Sequence, residues 1–248
     1  MAVLVTRPLP DGETTASDLR ARGFEVVAAP MLRFEPFGFD GAAEVPFGGV
    51  IVTSANAVRA VEAHLAGSPL LKLPLFAVGE RTAATARAAG FGKVFSADGD
   101  AVALRDLIVE TAKAKKLKKK SPLLYLAGEE MARDLPAELR ERGFEVTTHI
   151  AYRMVPARSL PSEVVDGFAA GRIEAVLHYS RRSARAFVEA ARTGGVEITA
   201  LALPQCCISA AVAEIVREAG AAQVMVAARP DENALFEALK RALPARLA

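Results

Sequence analysis

The chain has 248 residues, a formal net charge of +2, 52% hydrophobic residues and 24% charged residues. That balance fits one large or two modest well-cored domains and argues against a dedicated nucleic-acid binder. No apolar run reaches the length of a membrane span, and the opening MAVLVTRPLPDGE lacks the basic start, long apolar core and cleavage site of an export signal. A cytoplasmic protein without nucleic-acid or membrane partners is expected.

From the N-terminus onward, short Val/Ile/Leu-rich runs alternate with amphipathic stretches rich in Ala, Arg and Glu. This is the pattern of parallel strands joined by crossover helices. Strands are expected at residues 3–6, 25–28, 49–53, 75–78, 93–96, 123–126, 145–149, 175–179, 205–208 and 223–227. Ten such strands imply two sheets of five.

The chain also repeats itself. LRARGFEV at 19–26 matches LRERGFEV at 139–146 in all positions but one, and the match continues from Arg33 to Arg153 and from Pro36 to Pro156. GVIVTSANAVRAV from Gly49 parallels AVLHYSRRSARAF from Ala175, setting Ser54 against Ser180. LPLFAVGERTAATARAAG from Leu73 parallels LPQCCISAAVAEIVREAG from Leu203, and residues 98–104 resemble 228–235. Four ordered agreements at similar separation imply two copies of one doubly wound, five-stranded unit of the flavodoxin-like kind. After the first strand–helix–strand of each copy comes an extended connector, PMLRFEP at 30–36 and IAYRMVP at 150–156, where proline disfavours helix. The residues alone leave open whether each copy folds on itself or the opening units are exchanged.

The most basic run, KAKKLKKK at 113–120, reads as a solvated helix end favoured by the helix dipole. Cys206 and Cys207 are adjacent on an apolar strand, so they point to opposite faces and read as buried structural thiols. His64, His149 and His178 share no metal-ligand spacing, and no metal site is expected.

Ligands of doubly wound sheets bind beyond the C-terminal strand ends. There the sequence places Arg7, Thr53-Ser54-Ala55-Asn56, Gly79-Glu80-Arg81-Thr82, Ala127-Gly128-Glu129, Tyr179-Ser180-Arg181-Arg182 and Ser209-Ala210-Ala211. Ser, Thr, Asn and Gly cap helices and leave backbone N–H groups outward, where they hold anions. Arg7, Arg81, Arg153, Arg181 and Arg182 add charge-assisted donors. A plain capping role for Ser54 or Thr82 accounts for each residue singly; the set describes a cleft for a polycarboxylate. There is no dinucleotide or phosphate-loop fingerprint, no nucleophile elbow and no Ser/His/acid or Cys/His set.

In this pattern the chain resembles the uroporphyrinogen-III synthase family. VTRP at 5–8, LRARGFEVVAAPML, VIVTSANAV, LFAVGERTAATARAAGF, LYLAGE with DLPAELRERGFEV, and AYR at 151–153 fall in the family's order. The resemblance implies exchanged opening units: one lobe of residues 1–33 plus 156–248, another of 37–150, and connectors 30–37 and 150–157 running together as a two-stranded hinge. It implies a cofactor-independent hydro-lyase acting on hydroxymethylbilane, a linear tetrapyrrole with eight carboxylates. The reaction expels the terminal hydroxyl, inverts the last ring through a spiro intermediate and closes the ring, as a step in heme biosynthesis. A monomer is expected, because no apolar surface helix is left over, with transient contact to the upstream deaminase as a further expected partner.

Tyr152 is the catalytic residue implied by the resemblance, since a phenol stays protonated at neutral pH and can assist departure of the hydroxyl. Packing within the connector is the competing role. Arg7, Thr53, Ser54, Asn56, Gly79, Arg81, Thr82, Gly128, Arg153, Ser180, Arg181 and Ser209 are the expected substrate contacts. Two departures from the family pattern stand out. Ser209-Ala210-Ala211-Val212 replaces a second Gly-x-x-Thr, and Ala127 stands where many members carry arginine. A non-catalytic two-lobed anion binder, or a tetrapyrrole sensor, is the alternative.

Overall fold

A computed structural model describes residues 1–39, 46–115, 117, 121–131 and 133–243. In chain order it forms β1 (Ala2–Val5), α1 (Asp11–Ala21), β2 (Glu25–Ala28), β3 (Leu32–Pro36), β4 (Gly49–Val52), α2 (Ala55–Val61), β5 (Pro74–Ala77), α3 (Glu80–Ala88), β6 (Lys93–Ser96) and α4 (Ala101–Lys113). There follow β7 (Leu123–Gly128), α5 (Leu135–Arg140), β8 (Val146–Pro156), α6 (Ser162–Ala169), β9 (Ile173–His178), α7 (Arg181–Thr193), α8 (Glu197–Ala202), β10 (Gln205–Cys207), α9 (Ala210–Glu218), β11 (Val224–Val226) and α10 (Glu232–Ala242). None of the described helices is long and apolar enough to cross a membrane.

The chain divides into two compact units, Met1–Arg33 with Val155–Ala248, and Phe34–Met154. One sheet has the order β11-β10-β9-β1-β2, and the other β3-β8-β7-β4-β5-β6. Apart from β3, the second order repeats the first with β7 and β8 in the places of β1 and β2. The opening strand–helix–strand of each sequence repeat therefore sits in the sheet completed by the other repeat. Both five-strand sets are parallel throughout.

The expectation of two five-stranded sheets needs correction. The second sheet has six strands, because the first connector forms β3 and the second prolongs β8 to Pro156. The reason lies in the prolines. Helix is disfavoured before Pro36 and Pro156, so the chain stays extended and its amides find sheet partners, as where Phe37 N–H donates to Ala151 C=O at 2.8 Å. β7 likewise runs two residues further than expected, to Gly128.

The repeated LRxRGFEV acts as a helix stop. Gly23 and Gly143 take φ of 84° and 79°, a left-handed conformation that favours glycine. Phe24 N–H then reaches Leu19 C=O and Phe144 N–H reaches Leu139 C=O, each at 3.1 Å, with Gly23 and Gly143 donating to Arg20 and Arg140. The phenylalanine after each glycine packs in the same cluster as the leucine four residues before that glycine, which closes the turn hydrophobically.

Parallel strands covered on both faces divide their side chains between two cores. In β4, Val50 and Val52 enter a cluster with Val58, Leu65 and Leu75, while Ile51 enters one with Phe76, Leu104 and Tyr125. In β1, Leu4 packs with Phe168 and Phe187, and Val3 and Val5 pack with Leu19 and Phe236. Cys206 and Cys207 follow the same rule. Both are free and buried, in different clusters, and burial pushes each thiol up to about 12. Of the basic run at 113–120, Lys113 ends α4 and is exposed, as is Lys115; residues 116 and 118–120 lie outside the described residues.

Candidate active site

In the unit Phe34–Met154, a pocket of about 230 Å³ lies at the C-terminal ends of β4 and β7. Its lining includes Thr53, Ser54, Tyr125, Gly128, Arg133 and Tyr152. Four expected site residues thus meet in one cavity, and the sheet explains how. β7 pairs with β4 and with β8, so the end of β7 lies between Thr53 and Tyr152. Gly128 is in register with Tyr152 across a bulge after Ala127, and Glu129 N–H donates to Tyr152 C=O at 2.9 Å. The Tyr152 ring leans on Phe34, with centroids 5.5 Å apart. Tyr152 thus packs within the connector and lines the pocket at once.

Tyr125, which the sequence reading passed over, belongs to this pocket. It lies opposite Ile51, so the side chain two residues on, Thr53, shares its face of the sheet. The two hydroxyls are 2.9 Å apart. Tyr125 is 3% exposed, and its burial holds the phenol above the usual tyrosine range. The signal available in LLYLAG was a tyrosine inside an otherwise apolar strand, whose hydroxyl needs a partner when buried. Arg133 was also missed; it is tied to Glu138, which also accepts from Arg105 at 3.0 Å.

The helix caps divide into two kinds. Ser54 accepts from Asn56 N–H at 3.2 Å and Ser180 from Ser183 N–H at 3.1 Å, so both serine side chains act as caps. Gly79 and Ser209 cap α3 and α9 with no side-chain bond to the first turn. Thr82 is 7% exposed in the first turn of α3, whereas Arg81 beside it is exposed. Gly79, Arg81 and Thr82 follow β5 in the same unit and are not among the residues lining the 230 Å³ pocket. Asn56 is engaged at both ends of its amide, with Arg59 at 2.9 Å and with Met154 Sδ at 3.7 Å. Arg153 donates to Glu35 at 2.8 Å, and that carboxylate holds its guanidinium above the usual arginine range.

In the other unit, Arg7 follows β1 as expected but is engaged within the protein. It donates to Glu232 at 3.0 Å and to Thr15 at 3.2 Å, and its guanidinium stacks 4.6 Å from the Tyr179 ring centroid. Tyr179 donates to the same Glu232 oxygen at 3.2 Å. Burial first, and the Glu232 charge second, push the Tyr179 phenol well above its usual range. Arg181 is exposed at the start of α7. This unit also holds a cavity of about 260 Å³ lined by Met1, Glu25, Glu163 and Ile173. It lies at the N-terminal strand ends, the end of a doubly wound sheet that ligands do not use.

Strand-end hydroxyls, two phenols, Glu130 and Arg133 thus line a polar pocket at the C-terminal strand ends of an α/β fold, the place where doubly wound sheets bind small molecules. The sequence matches the family model described as Uroporphyrinogen-III synthase HemD over residues 13–237. The chain therefore belongs to the uroporphyrinogen-III synthase family, a family of enzymes. Its fold is similar to the crystal structure of uroporphyrinogen-III synthetase from Helicobacter pylori 26695, with 19% identity, a TM-score of 0.64, and 100% of this chain and 99% of that one covered. It is also similar to a mutant uroporphyrinogen III synthase from the extremely thermophilic bacterium Thermus thermophilus, with 16% identity, a TM-score of 0.56, and 99% and 100% covered. At such identities the likeness speaks for the fold. No curated protein matches the sequence.

Proposed function

We propose that the chain is a hydro-lyase that closes hydroxymethylbilane to uroporphyrinogen III with loss of water, and that Tyr152 is its catalytic residue. The observation that carries this reading is the phenol of Tyr152 in a pocket with Thr53 and Ser54, at a strand end where Gly128 leaves it room. In this scheme Tyr152 O–H donates to the departing hydroxyl, which leaves as water. The electron-rich pyrrole supplies the electrons and becomes a cation. A ring carbon of the far end attacks, the spiro intermediate resolves with inversion of the last ring, and the ring proton released restores the phenol. The protein's part is to hold the ends together, donate one proton and exclude water.

The pocket takes one pyrrole with its acid side chains rather than the whole substrate. Gly79, Arg81, Thr82, Asn56 and Arg153 in the same unit, and Arg7, Ser180, Arg181 and Ser209 in the other, are proposed to hold the remaining carboxylates. Supporting this, all but Arg153, which lies inside β8, sit at or just after C-terminal strand ends, where helix-start amides and cations favour anions. Numbered by their places in the sequence repeats, the five parallel strands of each sheet take the order second-first-third-fourth-fifth, which supports a flavodoxin-like class. β3 and β8, which carry the chain across the unit boundary, are the proposed hinge. The test is a coupled assay. Porphobilinogen and a hydroxymethylbilane-generating deaminase are supplied, the product is oxidised, and the porphyrin isomers are separated. Turnover gives type III; a binder or sensor leaves the spontaneous type I.

A further inference from the structure

We propose that Tyr125 is a positioning residue that makes the Thr53 hydroxyl an obligate hydrogen-bond donor to a substrate carboxylate in the pocket. This rests on the pocket being the tetrapyrrole site, and it assigns one ligand chemistry to one group within it.

The hydroxyls of Tyr125 and Thr53 lie 2.9 Å apart, and both residues line the pocket. Each can donate one hydrogen, and the pair needs only one. A phenol is a much stronger acid than an alkyl hydroxyl, so the phenol donates and the threonine oxygen accepts. Burial holds the Tyr125 phenol in its protonated form, so its hydrogen stays available for that bond. Thr53 then has its own hydrogen left over, and accepting one bond polarises it to donate another.

The surroundings leave Thr53 as the mobile member of the pair. Tyr125 is 3% exposed and packs in the cluster of Ile51, Phe76, Leu104 and Leu135, so its ring cannot swing to another partner. Thr53 is partly exposed at the strand end just before the cap of α2. A neutral hydroxyl committed to donation favours an acceptor such as carboxylate over a ligand group that must itself donate. A contact of this kind is made to the bound chain before and during reaction. It therefore lowers KM with little effect on kcat, unlike Tyr152, whose proton moves in the chemical step.

The test is a double-mutant cycle on the full chain. Binding of uroporphyrin III, the stable oxidised macrocycle with the same eight carboxylates, is read by fluorescence, and KM and kcat by the coupled assay. Tyr125→Phe and Thr53→Val are each expected to weaken uroporphyrin binding and raise KM about five- to tenfold, with kcat within about twofold. The double variant is expected to lose no more than either single one. Thr53→Ser, which keeps the hydroxyl, is expected to bind like the unaltered chain, and adding Tyr125→Phe to it restores the loss. Unchanged binding in Tyr125→Phe, losses that multiply in the double variant, or no uroporphyrin binding by the unaltered chain would overturn the proposal. A chain that forms no type III isomer yet shows the coupling defeats the catalytic reading alone; an active chain without the coupling defeats this one alone.

Discussion

Gly128 and Tyr152 occupy each other's space: a Cβ on Gly128 would lie 2.8 Å from Tyr152 Cζ and 2.9 Å from its hydroxyl oxygen. The glycine is needed for the close approach of a ring to backbone, and its φ is not in the left-handed range. Gly128→Ala is therefore expected to push the phenol aside rather than to unfold the strand. Overpacking of this kind costs about 1–3 kcal/mol. Because a misplaced catalytic group is expensive, turnover should fall at least about tenfold. Thermal unfolding and initial rates measured together check this; a variant with full activity would show that the phenol's position is immaterial.

Tyr152→Phe removes the proton without disturbing the Phe34 contact or the Gly128 fit. Loss of a general acid typically costs about a hundredfold or more. The expected outcome is a fall of that order in kcat with KM nearly constant and an unchanged melting curve. Unchanged turnover would take Tyr152 out of the mechanism.

Glu232 gathers Arg7, Thr15 and Tyr179 around one carboxylate oxygen. The Arg7 and Glu232 side chains are 15% and 30% exposed, so the pair is only partly screened. Glu232→Gln should destabilise the unit Met1–Arg33 with Val155–Ala248 by about 1–3 kcal/mol, since Arg7 loses its nearer counter-charge and keeps only Asp11 at 3.8 Å. A cycle with Arg7→Met, read by denaturant unfolding, should show the two residues coupled. Strictly additive effects would mean that the pair contributes nothing.

His178 gives the stability a pH dependence. It is fully buried and donates from Nε2–H to Gln205 Oε1 at 2.9 Å; burial lowers it to about 4 from an ordinary 6.5. Between those values the unfolded chain binds a proton that the folded chain refuses, so stability rises with pH there. This contribution, about 3 kcal/mol, is fully present above pH 6.5 and is lost as pH falls towards 4. NMR titration should find the His178 imidazole neutral at pH 5.5. A ring that titrates near 6.5 in the folded protein would contradict this.

Much of the fold was legible because its signals are local. LRxRGFEV states a helix end twice, and apolar runs such as GVIV mark strands buried on both faces. The sixth strand was less visible. PMLRFEP reads as extended, but whether an extended segment is paired depends on which neighbour reaches its amides. The site was partly legible too. Thr53, Ser54 and Gly128 could be placed at strand ends by counting, Tyr152 came from the resemblance, and the four share a pocket. Tyr125 could not, because its role depends on which strand lies beside β7 and in what register. Arg7 was visible as a cation after β1, but its partner Glu232 lies 225 residues away in sequence.

The most direct measurement of the central claim is the isomer ratio formed from enzymatically generated hydroxymethylbilane, with and without this chain. Predominantly type III uroporphyrin in its presence, falling back towards type I with Tyr152→Phe, is the predicted result. Type I dominating whether or not the chain is present would contradict the account.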